Sequence, residues 1–210
     1  ATGMQWAMGI FGVIGCVMFF VCFLTTRERI TPVKEENMNI LRDVRVLMQN
    51  DQWRILSVYN LAMLCGVVVR GSLLVYFVQY VLHQGSGVIS IFMMATTVAA
   101  VIGSLFAKKL GSWICKIRAS IWVNIVSAFA GLLFFVLPTD YWIPAFIVHI
   151  VLNLLQGINA PLQWSMITDA NNYGEWKTQR RITGMNIAAN IFVIKLGVAI
   201  GGALTGWGLA

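Results

Sequence analysis

The stretch YWIPAFIVHIVLNLLQGINAPLQWSMI, residues 141–167, decides the fold. It contains no Asp, Glu, Lys or Arg and exceeds the roughly 20 apolar residues that an α-helix needs to cross a bilayer. Its polar residues follow a pattern. His149, Asn153, Gln156 and Gln163 recur at offsets of 4, 7 and 14 residues, one stripe of a helix, and Ala160 shares that azimuth. One or two polar residues in a span serve as interhelical glue, whereas a stripe about four turns long reads as the wall of a water-filled path or of a site for a hydrophilic ligand.

The rest of the chain agrees with a membrane setting. Of 210 residues, 59% are hydrophobic and 11% charged, against about 45–50% and about 25% in soluble domains. The mean hydropathy of +0.78 excludes a soluble domain and a disordered tail alike. The net charge of +7 comes from 15 Lys and Arg against 8 Asp and Glu. Because membrane topology accounts for those cations, no nucleic-acid partner is expected. Cys16, Cys22, Cys65 and Cys115 form no CxxC pair and have no His at metal-ligand spacing. No metal and no cofactor are expected, and the three cysteines within apolar runs read as small buried hydrophobes. The opening Ala1-Thr2-Gly3 and the lack of a signal peptide read as a piece of a longer protein.

Six apolar runs are predicted: Met4–Thr25, with Gly9, Gly12 and Gly15, then Ile55–Leu82, Val88–Ala107, Ala119–Leu137, Tyr141–Ile167 and Ile182–Leu209. A polar connector from Thr26 to Arg54 carries Pro32, the cluster Lys34, Glu35, Glu36 and a short amphipathic segment, Ile40–Met48. Pro138-Thr139-Asp140 is expected to form a tight turn, and Thr168 to Arg181 a loop. Six basic residues fall in the Arg27–Arg54 stretch, four between the third and fourth runs, and three between the fifth and sixth, with none in the other two loops. The three basic loops are therefore expected to be cytoplasmic. Trp6, Trp53, Trp113 and Tyr141, near span ends, read as interfacial anchors.

Arg70 and Lys195 are the two cations left inside spans, where a charge facing hydrocarbon costs at least about 2.5–3.5 kcal/mol. Gly184, Ala188, Gly202 and Gly206 share the azimuth of Lys195, so the lysine stands on a face of small residues, as beside a wet cavity. A structural ion pair with a carboxylate elsewhere is the other reading of Lys195. Arg70 reads equally as cavity lining or as packing against aromatic neighbours such as Phe77. His149 reads as a hydrogen-bonded structural residue, and Asn186 and Asn190 as interhelical hydrogen-bonders. The spacings Gly197–Gly201 and Gly202–Gly206 both read as packing.

The run Asp169-Ala170-Asn171-Asn172-Tyr173-Gly174-Glu175-Trp176-Lys177, then Arg180-Arg181, Gly184-Met185 and Lys195-Leu196-Gly197, resembles the signature of the glycoside-pentoside-hexuronide:cation symporters. These are melibiose-carrier-like members of the major facilitator superfamily. Weaker likeness extends over the Thr-Thr-Arg-Glu-Arg exit at residues 25–29, Gln49-Asn50-Asp51-Gln52-Trp53-Arg54, and Pro161-Leu162-Gln163-Trp164. The resemblance implies an all-α membrane protein, a fragment of a twelve-helix fold comprising about six transmembrane helices, the sixth to the eleventh. Residues 1–25 would be the last helix of the N-terminal half, 26–54 the central cytoplasmic loop, and 55–210 five helices of the C-terminal half, the last helix missing.

The same resemblance implies cation-coupled sugar symport by alternating access in the bacterial inner membrane, and no enzyme. The expected partners are a small-molecule glycoside, a coupling cation (Na⁺, Li⁺ or H⁺, its site mainly on the missing N-terminal half) and the lipid bilayer. Lys195 matches the family's lysine near the sugar and cation sites. Together with Gln163, Trp164, Gln156, Asn153 and Arg70 it forms the expected substrate-binding set. Asp169, Glu175 and Arg181 form the expected cytoplasmic gate. Two departures stand out. Asn172 replaces the family's second aspartate before Tyr-Gly-Glu, and Ala160 stands where the melibiose carrier has a sugar-stacking tryptophan, a role that Trp164 is placed to take one turn lower. A lysolipid or amphiphile carrier, or a membrane sugar sensor that binds without transport, are the alternatives.

Overall fold

The computed structural model describes residues 2–26, 40–137, 142–180 and 182–209. Arg181, the Pro138-Thr139-Asp140 turn and the Pro32 to Glu36 cluster lie outside the described residues. Those described form helices only: α1 (Thr2–Thr25), α2 (Ile40–Met48), α3 (Asp51–Tyr76), α4 (Ser86–Ile114), α5 (Lys116–Leu132), α6 (Trp142–Thr178) and α7 (Thr183–Leu209), with two short helical turns of other pitch. The chain divides into two units, Ala1–Asn39 and Ile40–Ala210.

In the first unit α1 is apolar all round, with Phe19 81% and Trp6 74% exposed. Such a helix suits contact with lipid or with other helices. Cys16 and Cys22, expected to be buried, are exposed on it. The correction has a simple cause, since an apolar neighbourhood in sequence marks a membrane helix without saying which side faces protein.

In the second unit the expected amphipathic segment is α2, with the bounds read from sequence. Asn50 then starts α3: its side-chain oxygen accepts the Trp53 amide at 3.0 Å, and its Nδ2 donates to the Ala170 carbonyl of α6 at 2.8 Å. Gly174 makes room, since a Cβ there would lie 2.5 Å from the Asn50 Nδ2. At its far end α3 continues into a π-helical turn, Phe77–Val81, in which the Leu82 amide donates to the Phe77 carbonyl at 3.1 Å.

Among the described residues five helices are long and apolar enough to cross a membrane: α1, α3 with its π turn, α4, α6 and α7. The sixth expected span is α5, of 17 residues, prolonged by a 3₁₀ turn at Leu133–Phe135. One residue, Cys115, joins α4 to α5, at a φ of 69°. The expected loop from Thr168 is instead helix, because α6 runs on to Thr178. The polar run 168–177 marks where α6 leaves the apolar layer; Gly174 alone does not break a helix whose turn packs against Asn50.

Two parallel pairs organise the unit. α4 packs on α6 through Gly103, whose Cβ would lie 2.1 Å from the Leu154 carbonyl oxygen. α3 packs on α7 through Gly197 and Gly201, whose Cβ atoms would lie 2.9 Å from the Leu61 oxygen and 2.8 Å from the Cys65 oxygen. In lipid, close packing of this kind and hydrogen bonds, rather than the hydrophobic effect, hold helices together. α5 lies against α6 through Ala119, Val123, Ile158 and Leu162, in a cluster completed by Ala107 of α4. At the opposite end Leu74, Val78, Leu82, Phe92 and Ala145 form a second cluster, with Phe77 edge-on to Phe134. Contacts of Lys116 with Asp169 and of Lys177 with Asp51 bring the α3 start, the α4–α5 corner and the α6 end to one side, the basic side expected to be cytoplasmic.

Candidate functional site

The polar stripe of α6 divides three ways. Towards the outer end His149 is buried, its Nε2 2.8 Å from the Thr96 hydroxyl of α4 and its ring 5.3 Å from that of Phe92. Asn153, also buried, donates to the His149 carbonyl at 2.8 Å. Further in, Gln163 is buried and donates to Asn60 of α3 at 2.7 Å. Between them Gln156 is half-buried and Ala160 exposed, and Trp164, one turn on, is 53% exposed. His149, expected to be a hydrogen-bonded structural residue, and Gln163, expected to line the path, both join α6 to other helices, Asn153 bonds back to His149 within α6, and Gln156, Ala160 and Trp164 are left on the open side.

Lys195 is exposed on α7, as are Gly184, Ala188, Gly202 and Gly206 of its azimuth. No atom stands within 4 Å of a Cβ built on Gly184, Gly202 or Gly206. The Gly202–Gly206 spacing is therefore not a packing contact among the described residues, unlike Gly197–Gly201. Arg70 is half-buried on α3, within electrostatic reach of His149. Neither Arg70 nor Lys195 has an ion-pair partner among the described residues. Two membrane-level cations thus await negative or strongly polar groups from elsewhere.

A second polar cluster escaped the sequence reading. The Tyr59 hydroxyl of α3 lies 2.9 Å from the Ser120 hydroxyl of α5, and Asn159 of α6 donates to it at 2.8 Å. Asn124 donates to the same oxygen at 3.0 Å, while Ser120 donates to the Asn159 oxygen at 2.7 Å. Asn159 lies off the His149 stripe, so the periodicity hid it; Ser120 and Asn124, four apart in an apolar run, were the available signal.

Asp169 pairs with Lys116 at 2.6 Å and Lys177 with Asp51 at 2.5 Å; all four side chains are at least 35% exposed. Glu175 is half-buried, and Arg181 lies outside the described residues. Asn171, beside Asn172, accepts from Asn186 at 3.2 Å, and Asn190 donates to Asn186 at 2.7 Å, so neutral amides join α6 to α7.

Two cavities lie at this end. A groove of about 490 Å³ opens between α3, α5 and α6, with Ile55, Ile117, Ile121, Met166, Tyr59 and the buried Ser120 among its lining. None of the expected sugar-side residues line it. A chamber of about 10 Å³ is bounded by Asn50, Asn171, Gly174 and Asn186. No group of three His, Cys, Asp or Glu placed to hold a metal occurs among the described residues.

The chain matches, over residues 1–210, the family described as MFS/sugar transport protein. It is 37% identical over 209 residues to the inner membrane symporter YicJ of Escherichia coli, covering 99% of this chain and 45% of that protein. To the putative glycoside/cation symporter YagG of the same organism it is 33% identical over 204 residues, covering 97% of this chain and 44% of that protein. To the isoprimeverose transporter of Lactiplantibacillus pentosus it is 29% identical over 202 residues, covering 94% and 41%. The chain thus spans less than half the length of these relatives. No solved structure matches it.

Proposed function

The chain belongs to the MFS/sugar transport protein family, and from that premise we propose that it forms part of a cation-coupled glycoside symporter working by alternating access. It is a multi-pass protein of the bacterial inner membrane, and its reading is transport rather than catalysis. The observation that carries the proposal is the open face of α7: an unpaired lysine at membrane depth amid small residues, in a chain whose relatives are named glycoside/cation symporters.

On this reading the chain supplies the sixth to eleventh helices of twelve, and the sugar lies against its open side. Lys195 donates to sugar hydroxyls or to a carboxylate, Gln156 offers both donor and acceptor, and Trp164 presents a ring face to the sugar's C–H face. Asn153 and Gln163 hold the wall in shape through their buried bonds, and Arg70 completes the positive side. The carboxylates that bind the coupling cation belong to the N-terminal half, since the spans here hold no Asp or Glu in their interiors. Asp169, Glu175 and Arg181 act at the cytoplasmic gate, with Lys116 as the resting partner of Asp169.

The test is uptake of a labelled glycoside panel by vesicles holding the complete carrier that contains this chain, with and without imposed sodium or proton gradients. Gradient-driven accumulation of one sugar class supports symport and names the cation. Saturable binding without accumulation would sink it in favour of a sensor, and silence across the panel in favour of an amphiphile carrier.

A further inference from the structure

The seam between α3 and α7 changes character along its length. In its outer part Leu64 meets Gly197 and Val68 meets Gly201, at 3.2 Å and 3.0 Å from the positions a Cβ would take. The two helices run parallel, so the same register seven residues lower sets Ser57 against Asn190, and four residues below that Trp53 against Asn186. Ser57 shares the azimuth of Leu64 and Val68, at offsets of 7 and 11, as Asn190 shares that of Gly197 and Gly201.

This lower part is polar and unsatisfied. Trp53 Nε1, Ser57 Oγ, Asn60 Nδ2 and Asn190 Oδ1 have no hydrogen-bond partner among the described residues, although their residues are 8%, 8%, 0% and 0% exposed. Orphaned buried polar atoms are rare, and here three lie within two turns of α3, where Asn60 also accepts from Gln163 of α6, with a fourth on α7. They comprise donors (the indole and the amide nitrogen), an acceptor (the Asn190 oxygen) and a hydroxyl able to do both. None of these four residues lines the 10 Å³ chamber, which adjoins the seam at Asn186, one turn below Asn190, and has the room of about one water molecule.

We propose that the cytoplasmic half of the α3–α7 seam is an internal water site, in which water bridges Ser57 and Asn190 and is held also by Trp53 and Asn60. The unpaired Asn190 oxygen disfavours a carboxylate ligand and the two N–H donors disfavour a metal cation, whereas a water molecule, donor and acceptor at once, suits both kinds of group and is small enough for a closely packed seam. The consequence for motion rests on the transport reading. Water-mediated contacts exchange partners without leaving a buried group bare, whereas the glycine contacts above admit no shift, so α7 tilts about Gly197 and Gly201 while its lower half re-forms its bonds.

The test uses the complete carrier in nanodiscs, with X-ray radiolysis in H₂¹⁸O and mass spectrometry of the oxidised residues. Trp53, though buried, is expected to label within a few-fold of the exposed Trp176, and to lose that label several-fold in Ser57→Ala/Asn190→Leu. The same double variant is expected to transport about tenfold more slowly with glycoside affinity unchanged, while Ser57→Thr keeps both label and rate. Should the double variant not fold, Ser57→Ala alone is read, with a smaller loss of label expected. Background labelling of Trp53 in the unmodified carrier, or label unaffected by either variant, would overturn the water site. A dried seam with full turnover would overturn the tilt. If the unmodified carrier accumulates no glycoside, the symport reading fails by itself, and the labelling still decides the water site.

Discussion

Gly157 of α6 packs its bare Cα against the backbone of Ala100 in α4 so closely that a Cβ there would stand 2.1 Å from the Ala100 carbonyl oxygen. The contact is reciprocal, since Gly103 meets the Leu154 oxygen at the same distance. Because the clashing atom is backbone, no rotamer change relieves it, and Gly157→Ala must part the helices. The expected loss is about 1–3 kcal/mol, read as a fall in the thermal unfolding midpoint of the detergent-solubilised carrier. Gly202→Ala, with nothing within 4 Å, is the control and should leave the midpoint in place. Equal behaviour of the two would contradict the packing.

Gln163 and Asn60 form a buried pair across α6 and α3 at 2.7 Å. Removing one partner strands the other, so Gln163→Leu should cost about 1–3 kcal/mol, whereas Gln163→Leu/Asn60→Leu should cost less than the two single changes added together. A double-mutant cycle on unfolding measures this. Strict additivity would mean that the two side chains do not interact.

Lys195 lies on the open face of α7 and Gly197 on the packed one. With Cys16, Cys22, Cys65 and Cys115 replaced, Lys195→Cys in the carrier should react with a hydrophilic thiol reagent and be protected several-fold by a transported glycoside. Gly197→Cys should be inert. Reaction at both positions, or no protection at 195, would remove Lys195 from the sugar side.

The pair Lys116–Asp169 is exposed on both sides, and such pairs contribute about 0–1 kcal/mol. Asp169→Asn should therefore barely change stability. If the pair must part during the transport cycle, the charge reversal Asp169→Lys should slow uptake, and the swap Lys116→Asp/Asp169→Lys should restore it. Uptake rates at two salt concentrations provide the check, because the loss should shrink as screening increases.

The membrane architecture was legible because hydropathy and the Lys and Arg count report on solvent, which is a property of segments. The α2 bounds and the basic side follow from such segmental signals; of the two asparagines expected to bond between helices, Asn186 reaches Asn171 of α6, whereas Asn190 donates to Asn186 within α7. What hydropathy does not report is which helix touches which. The α6 stripe looked like one wall, yet Thr96 and Asn60 on other helices take up His149 and Gln163, and no periodicity in α6 names those partners. Tyr59 and Asn159 were missed for the same reason, each a lone polar residue until α5 brings Ser120 between them. The end of α6 is not legible in hydropathy, because a loss of apolarity is the same for a loop and for a helix that leaves the bilayer and keeps its backbone bonds in water, as α6 does to Thr178.

Cys115 is the whole connection between α4 and α5. A single residue spans roughly 4 Å from one Cα to the next, so the tether has almost no slack: when the cytoplasmic end of α4 moves, α5 must follow as the second arm of one lever. α4 is also locked to α6 through Gly103 and Gly157. The three helices are therefore tied to one another, and a pull felt on any one of them reaches the other two.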